Sequence, residues 1–430
     1  MKVLVLYRKL KHQKDRNTID EHLYSFRRYV DNVQFHYFNA ASGIPRYLTY
    51  AKYDGVILHY TFLVVRWDRD FFERWVRYIK RLRRIRGYKV AIPQDEYAET
   101  DILCELFRQY DVKTVFTCFS EEDYTRVYPA GKVPLEHLVT VFPGYVDEIS
   151  TEKIKAFCPE AKERPIALGY RARKLPYWLG RHGQLKREIG QLFLERTRGT
   201  ELRVDISTDE QDAFRGDEWY KFLCRSRAVL GCEGGASLID PTGEIRKNVE
   251  QYVREKPEAS FEDVERNCFP GQDYNIRLST LSPRHFESAI TRTCQVLLEG
   301  DYCGIFLPNV HYIELKRDYS NIDQVIELLK DIEYCAEVAE NAYREIVLSG
   351  KYTYRVFANQ VLTHIAKNRK EKNIETKWDY RYFRLLGMYL ALRERLEPLL
   401  IRLLRPLLAL KVYKMGLVKE AFYRIQAQRN

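Results

Sequence analysis

What the chain lacks narrows its chemistry first. Its nine cysteines are odd in number and scattered from Cys104 to Cys335. None forms a Cys-x-x-Cys pair, and none has a histidine at zinc-finger spacing. That argues against structural zinc and a disulfide framework, and for a reducing, cytosolic compartment. No Walker A, GxSxG or HExxH pattern occurs, so a P-loop, a hydrolase nucleophile elbow and a zincin site have no support. There is no internal repeat and no low-complexity tract. The N-terminus, MKVLVLYRKLKHQKD, is apolar over too short a stretch for a signal peptide and has no small-residue cleavage site. It reads as a first buried strand.

Charge of one sign is only modestly in excess: 71 Lys and Arg against 60 Asp and Glu, a net +11. The excess favours an anionic partner without choosing among phosphates, nucleic acid and an acidic membrane. Hydrophobic residues make up 45% and charged residues 30%, the balance of a folded chain. At about 150 residues per domain, 430 residues suggest two or three.

Six apolar runs mark the first half: KVLVLY, VQFHYF, DGVILHY, YKVAIP, KTVFTCF and HLVTVFP. They are continuous rather than alternating, and amphipathic helical stretches separate them, which predicts a parallel sheet covered on both faces. A break falls near 150–165, after which IALGYRA, LRVDIS, AVLGCEGG and CQVLLEG restart the pattern. A polar stretch at 240–280 interrupts it. Ser320 followed by Asp323 predicts a capped helix start. The fold class is therefore α/β. The expected organisation is a Rossmann-like unit over 1–160, a second over 161–350, a helix over 351–370 crossing back to the first, and a tail over 371–430.

In paired open α/β units ligands bind beyond the carboxyl ends of the strands, which selects four places. GYRARKLP follows a strand: Gly169 permits a tight turn, and Arg171, Arg173 and Lys174 either contact a diphosphate or form a solvated basic loop. In CEGGAS, Gly234 and Gly235 either let the backbone approach an anion or simply turn the chain. In SPRHFESAI, Ser282 is the N-cap and Pro283 the first helical residue. Phe286, Ala289, Ile290 and Thr293 form its buried stripe, and Arg284 and Glu287 share another face. That face is either an anion site at the positive helix end or a surface ion pair. Last, His59 and the QDEY stretch, Gln94 to Tyr97, end strands of the first half, as structural or catalytic groups.

GYRARKLPYWLGRHGQ, LGCEGGAS and SPRHFES stand in the order found in group-one glycosyltransferases. The sequence from about 165 to 365 resembles their C-terminal half, in the branch found in bacterial surface-polysaccharide clusters and spore-maturation proteins. The resemblance implies the GT-B architecture, two Rossmann-like domains facing across a cleft, and sugar transfer from a nucleotide-diphosphate donor with retained configuration. It implies that Arg171 and Lys174 neutralise the diphosphate and that Glu287 contacts the ribose. It makes His59 a cleft histidine, and Gly169, Gly234, Gly235 and Arg284 donor-binding positions. The family's first motif glutamate, eight residues before Glu287, is here Ser279. No metal or other cofactor is expected. DRD at 68–70 looks like the metal motif of a different glycosyltransferase fold, yet reads better as a helix N-cap.

From Trp378 to Asn430, eleven Lys and Arg outnumber four Asp and Glu. Charges recur too often for a membrane span, and Pro398 and Pro406 would break or kink a helix. A basic amphipathic tail on an anionic membrane surface fits, as does a hairpin packed on the body. The expected partners are a nucleotide-sugar donor and a glycan or lipid-linked acceptor, with no nucleic acid. The expected place is the cytoplasm, peripheral on the inner face of the plasma membrane. Two other readings stay open: a nucleotide-sugar epimerase or polymer phosphotransferase, and a non-catalytic nucleotide-sugar-binding scaffold.

Overall fold

The computed structural model describes residues 1–9, 17–369 and 376–413, with the backbone alone over 397–413. Two parallel sheets organise it. The first comprises β1 (Lys2–Tyr7), β2 (Gln34–Asn39), β3 (Lys52–His59), β4 (Arg86–Ile92), β5 (Val112–Thr117) and β6 (His137–Thr140). Their order is β2-β1-β3-β4-β5-β6, and every pairing is parallel. β1 is buried along its whole length, as a strand covered on both faces must be.

The second sheet comprises β7 (Ile166–Arg171), β8 (Val204–Ser207), β9 (Ser226–Gly231), β12 (Cys294–Leu298) and β13 (Ile313–Leu315). It runs in the order β13-β12-β9-β7-β8, again all parallel. β10 (Gly234–Ala236) and β11 (Leu278–Thr280) form a separate antiparallel ribbon. The helix Tyr354–Asn368 then returns to the first sheet. It lies on β3 at Gly55, where a Cβ would come within 2.6 Å of Ile365. Two parallel α/β units and a returning helix make the GT-B arrangement.

Two local expectations are corrected. The polar stretch at 240–280 is two helices, Glu244–Glu255 and Phe261–Cys268. Their apolar residues Val249, Phe261 and Val264 join a core cluster that also takes in the first sheet and Trp178. The 240–280 segment is stitched to the first unit: Glu99 N donates to Asp240 O at 2.7 Å, and Asp240 N to Tyr97 O at 2.8 Å. The helix expected to start after Ser320 instead has Asn321 at its N-cap position, without a side-chain capping bond, and runs Ile322–Leu328. Asn321 is occupied in the preceding turn, accepting from Lys316 N at 2.9 Å. Ser320 N meanwhile donates to Asp318 Oδ1 at 3.0 Å in that same turn.

The cysteines also depart from expectation. Cys158, in the linker, is disulfide-bonded to Cys224 at the end of the helix Asp217–Arg225. The two lie 66 residues apart, so only the meeting of linker and helix makes them partners. Asp68, by contrast, behaves as a cap, accepting from Phe71 N at 3.0 Å.

The C-terminal helix runs from Lys377 to Tyr413 without interruption. Neither Pro398 nor Pro406 ends it; a proline removes one ladder bond, which a long helix can survive. Phe383, Leu386 and Leu390 are buried against the first unit, with Phe383 stacked on His36 at 3.9 Å. Residues 371–375 and 414–430 of the expected tail, and residue 370 of the expected crossing helix, lie outside the described residues. Among the described residues no helix is long and apolar enough to cross a membrane.

Candidate active site between the two units

The helix Pro283–Ile290 begins where the sequence places it, with Ser282 as N-cap and Pro283 in the first turn. Phe286, Ala289 and Ile290 are buried. Phe286 is parallel to Tyr145 of the loop leaving the first sheet, and a Cβ on Gly144 would meet Pro283 at 2.8 Å. The helix start is thus held between the two units. Arg284 and Glu287 do not pair with each other. Arg284 donates to Arg171 O and lies 5.0 Å over the Trp219 ring. Glu287 accepts from Trp219 Nε1 at 2.7 Å. Trp219, on the helix Asp217–Arg225, therefore orients both side chains.

Beside this helix start, at the carboxyl ends of β7 and β9, lies a cavity lined by Arg171, Lys186, Trp219, Arg284, His285 and Gln295 among others. Three of these side chains are cationic, and Trp219 supplies an aromatic face. Arg171 is 9% exposed. It bonds Asp205 Oδ1 at 2.7 Å and the Asp205 carbonyl at 2.9 Å, and it lies 4.9 and 4.7 Å from the ring centroids of Phe214 and Phe222. Its place is fixed before any ligand arrives, which is what a preorganised cation needs. His285 bonds Gln295 at 3.0 Å, and burial lowers its pKa to about 4. It is a neutral lining group.

The other predicted residues are distributed differently. Gly169 is not in a turn. It sits inside β7, paired with Asp205 and Val229, and a Cβ there would meet Ser226 Oγ at 2.5 Å. Lys174 is exposed, 5.2 Å over the Tyr177 ring. Gly234 and Gly235 belong to the β10–β11 ribbon rather than to an open loop. Gly235 has φ +124 and faces Ser279, and a Cβ there would fall 1.9 Å from Leu278 O. The Oγ of Ser279 is buried without a hydrogen-bond partner.

His59 ends β3 as expected, but its side chain is fully buried. Its Nε2 lies 3.0 Å from His22 Nδ1 and its Nδ1 lies 2.9 Å from Thr61 Oγ1. Burial keeps its pKa well below the usual imidazole value, so it is neutral and one layer back from the cleft. QDEY is likewise structural. Glu96 accepts from Thr117 Oγ1, Tyr128 OH and Cys118 N at 2.6–3.0 Å. Burial still raises its pKa to about 7. Arg66, 1% exposed, ties down the carbonyls of Leu63, Gln94, Asp95 and Ala98.

The sequence reading missed the first unit's own contribution. Glu21 and His22, on the helix Asn17–Tyr29, are buried, as are Tyr220 of the second unit and Tyr354 of the returning helix. Ser150 Oγ donates to Glu21 at 2.8 Å, and Tyr220 OH lies 3.5 Å from the same oxygen. Tyr29 OH donates to Asp147 at 2.6 Å. The carboxylates of Glu21, Asp147 and Glu287 thus converge from both units. Among the described residues no group of His, Cys, Asp and Glu is arranged to hold a metal ion.

No family model matches the chain, and no curated protein matches it. Among solved structures, an alpha-glucosyltransferase in complex with UDP-glucose and DNA containing an abasic site aligns with a TM-score of 0.46 and 11% identity, over 85% of this chain and 99% of that one. Sucrose-phosphate synthase from Thermosynechococcus elongatus aligns with a TM-score of 0.45 and 10% identity, over 85% and 98%. HepE of Anabaena in complex with UDP-glucose aligns with a TM-score of 0.44 and 12% identity, over 85% and 100%.

Proposed function

We propose that the protein is a glycosyltransferase that moves a sugar from a nucleotide-diphosphate donor to an acceptor hydroxyl of a glycan or glycolipid, with retained configuration. One observation carries the reading: the cavity at the ends of β7 and β9 gathers Arg171, Lys186 and Arg284 beside Trp219, whose ring nitrogen bonds Glu287. Leaving-group charge builds on the diphosphate as the glycosidic bond breaks. Cations fixed in a partly enclosed site stabilise that charge most. Glu287, oriented by Trp219, accepts from ribose hydroxyls. The positive end of the Pro283–Ile290 helix adds to the field. These cations supply the neutralisation without a metal. His59 supports the cleft from behind.

The test is a panel of nucleotide-sugars with oligosaccharide and lipid-linked acceptors, read by mass spectrometry. Sugar added to acceptor is the expected result. Conversion of the free donor alone would favour an epimerase. Binding without turnover would favour a scaffold, the reading that Ser279 at the first motif position supports.

We also propose that the acceptor is met at an anionic membrane surface on the cytoplasmic side. Along the C-terminal helix, Trp378, Leu385, Met388, Leu392 and Leu396 are all more than 40% exposed. Lys377, Arg381, Arg384 and Arg395 are exposed with them. Among the described side chains the acids turn the other way: Asp379 pairs with Lys52 at 2.9 Å and Glu394 with Arg27 at 3.2 Å. The outer face is therefore cationic and apolar, the pattern of an interfacial helix. Each basic residue near an anionic surface is worth about 1 kcal/mol, so Arg381→Gln with Arg384→Gln should weaken flotation with phosphatidylserine vesicles roughly 30-fold. Equal flotation of variant and parent would sink this reading.

A further inference from the structure

We infer that the segment from Arg74 to Arg86 of the first unit is a second docking surface for the phosphate headgroups of an anionic membrane. The choice of partner rests on the membrane reading of the C-terminal helix, while the charge is the first unit's own. The helix Arg69–Ile79 and the turn Lys80–Arg84 lead into β4. Trp75, Ile79, Leu82 and Ile85 point into the core, each no more than 2% exposed. Between them stand Arg74, Arg77, Lys80, Arg81, Arg83, Arg84 and Arg86, all exposed, with no acid from Arg74 to Arg86.

Elsewhere in the chain several helical cations take an acid three or four residues away. Lys155 pairs with Glu152, Lys221 with Glu218 and Arg246 with Glu250, at 2.6–2.8 Å. Here Glu73, the last acid before the segment, pairs back to Arg69 at 3.6 Å. Among the described residues no carboxylate forms an ion pair with any of the seven cations. Arg74 and Arg81 donate to the main-chain carbonyls of Asp70 and Ile44. Arg77 and Arg81, and Lys80 and Arg84, stand four apart, so like charges crowd one another. An anion from outside relieves that repulsion. All but Lys80 are arginines, whose planar guanidinium takes a phosphate through two parallel bonds.

Its neighbours select a bilayer. The turn Lys80–Arg84 packs on the turn Arg46–Tyr50, which holds the C-terminal helix. Tyr382 OH donates to Tyr47 O at 2.8 Å, and Arg393 Nη1 to Tyr47 OH at 3.0 Å. Arg86 pairs in register with Lys52 of β3, and Lys52 bonds Asp379 of the same helix at 2.9 Å. The cations thus adjoin the helix on which Trp378, Leu385 and Met388 are exposed. Tyr78, 63% exposed, adds a ring of the kind that settles at a membrane interface. A nucleic acid offers phosphates but nothing apolar for these side chains; a bilayer interface offers both. β4 starts at Arg86, so the segment lies at the amino end of the first sheet. A membrane seated there leaves the carboxyl ends of those strands uncovered.

The experiment is flotation of the full chain with vesicles of phosphatidylcholine, alone or mixed with phosphatidylserine. Arg77→Gln with Lys80→Gln and Arg84→Gln should weaken binding to the mixed vesicles roughly 150-fold. Arg83→Gln with Arg86→Gln should weaken it roughly 30-fold, which covers the case of a poorly folding triple variant. Flotation of both variants equal to the parent overturns the inference; if Arg381→Gln with Arg384→Gln still weakens it, the helix reading stands. Loss in the segment variants with none in the helix variant keeps the segment and discards the helix. Parent binding as strong on phosphatidylcholine alone overturns the inference, because charge then plays no part. A parent that floats with neither vesicle overturns both. Unchanged flotation with lost binding of a DNA duplex would assign the segment to nucleic acid, and overturns it as well.

Discussion

Glu287→Ala should lower sugar transfer by about 10²–10³-fold, the usual cost of removing one preorganised polar group from a reacting centre. The loss should exceed any loss of fold stability, because two structural effects oppose each other. Trp219 Nε1 loses its acceptor, a cost of about 1 kcal/mol. Against that, a negative charge that raises the Glu21 pKa is gone. Glu287→Gln separates geometry from charge, since its amide oxygen still accepts from Trp219. If the glutamine variant recovers most of the activity, Glu287 acts by orientation and ribose hydrogen bonding. If it is as poor as alanine, the negative charge itself is needed. Steady-state kcat and KM with the donor found by the panel decide between these. Activity equal to the parent in both variants would remove Glu287 from the site.

Arg66→Met should be the most damaging single change in the first unit. The side chain is 1% exposed and satisfies carbonyls of Leu63, Gln94, Asp95 and Ala98. Methionine fills part of the volume but donates nothing, so buried carbonyls are left bare. Each costs about 1–3 kcal/mol, and a total near 3–5 kcal/mol is expected for breaking such a buried network. Glu96, whose pKa burial raises, would also lose the Arg66 charge that, after the bonds from Thr117, Tyr128 and Cys118, opposes that rise. Urea unfolding followed by circular dichroism gives the measurement. A shift below 1 kcal/mol would mean that water reaches these carbonyls. Lysine should rescue only partly, because its single ammonium cannot span carbonyls on both sides of the 94–98 turn.

The sequence made the architecture legible and much of the site opaque, for a common reason. Continuous apolar runs announce buried parallel strands whatever their neighbours do, and Ser-Pro announces a helix start. Burial of polar residues carries no such mark. Glu21 and His22 have the composition of a solvent-facing helix turn and become buried only when the second unit and the returning helix cover them. His59 was findable as a residue at a strand end, but not as one sealed behind Thr61 and His22. The helices at 240–280 were obscured by their charge, although Val249, Phe261 and Val264 were there to be read. Gly169 and Gly235 signal close approach, yet the sequence does not say to what. In both cases it is another part of the protein.

The seam between Tyr97–Glu99 and Asp240 has a thermodynamic consequence. It lies where a hydrophobic cluster runs unbroken from the first sheet through Trp178, Val249 and Phe261. Two lobes joined only by a hinge melt separately, each with its own enthalpy. Here the 240–280 helices cannot lose their packing without exposing part of the first sheet's core, while the second sheet keeps a cluster of its own. Heating should therefore unfold the 240–280 helices in the same calorimetric transition as the first unit.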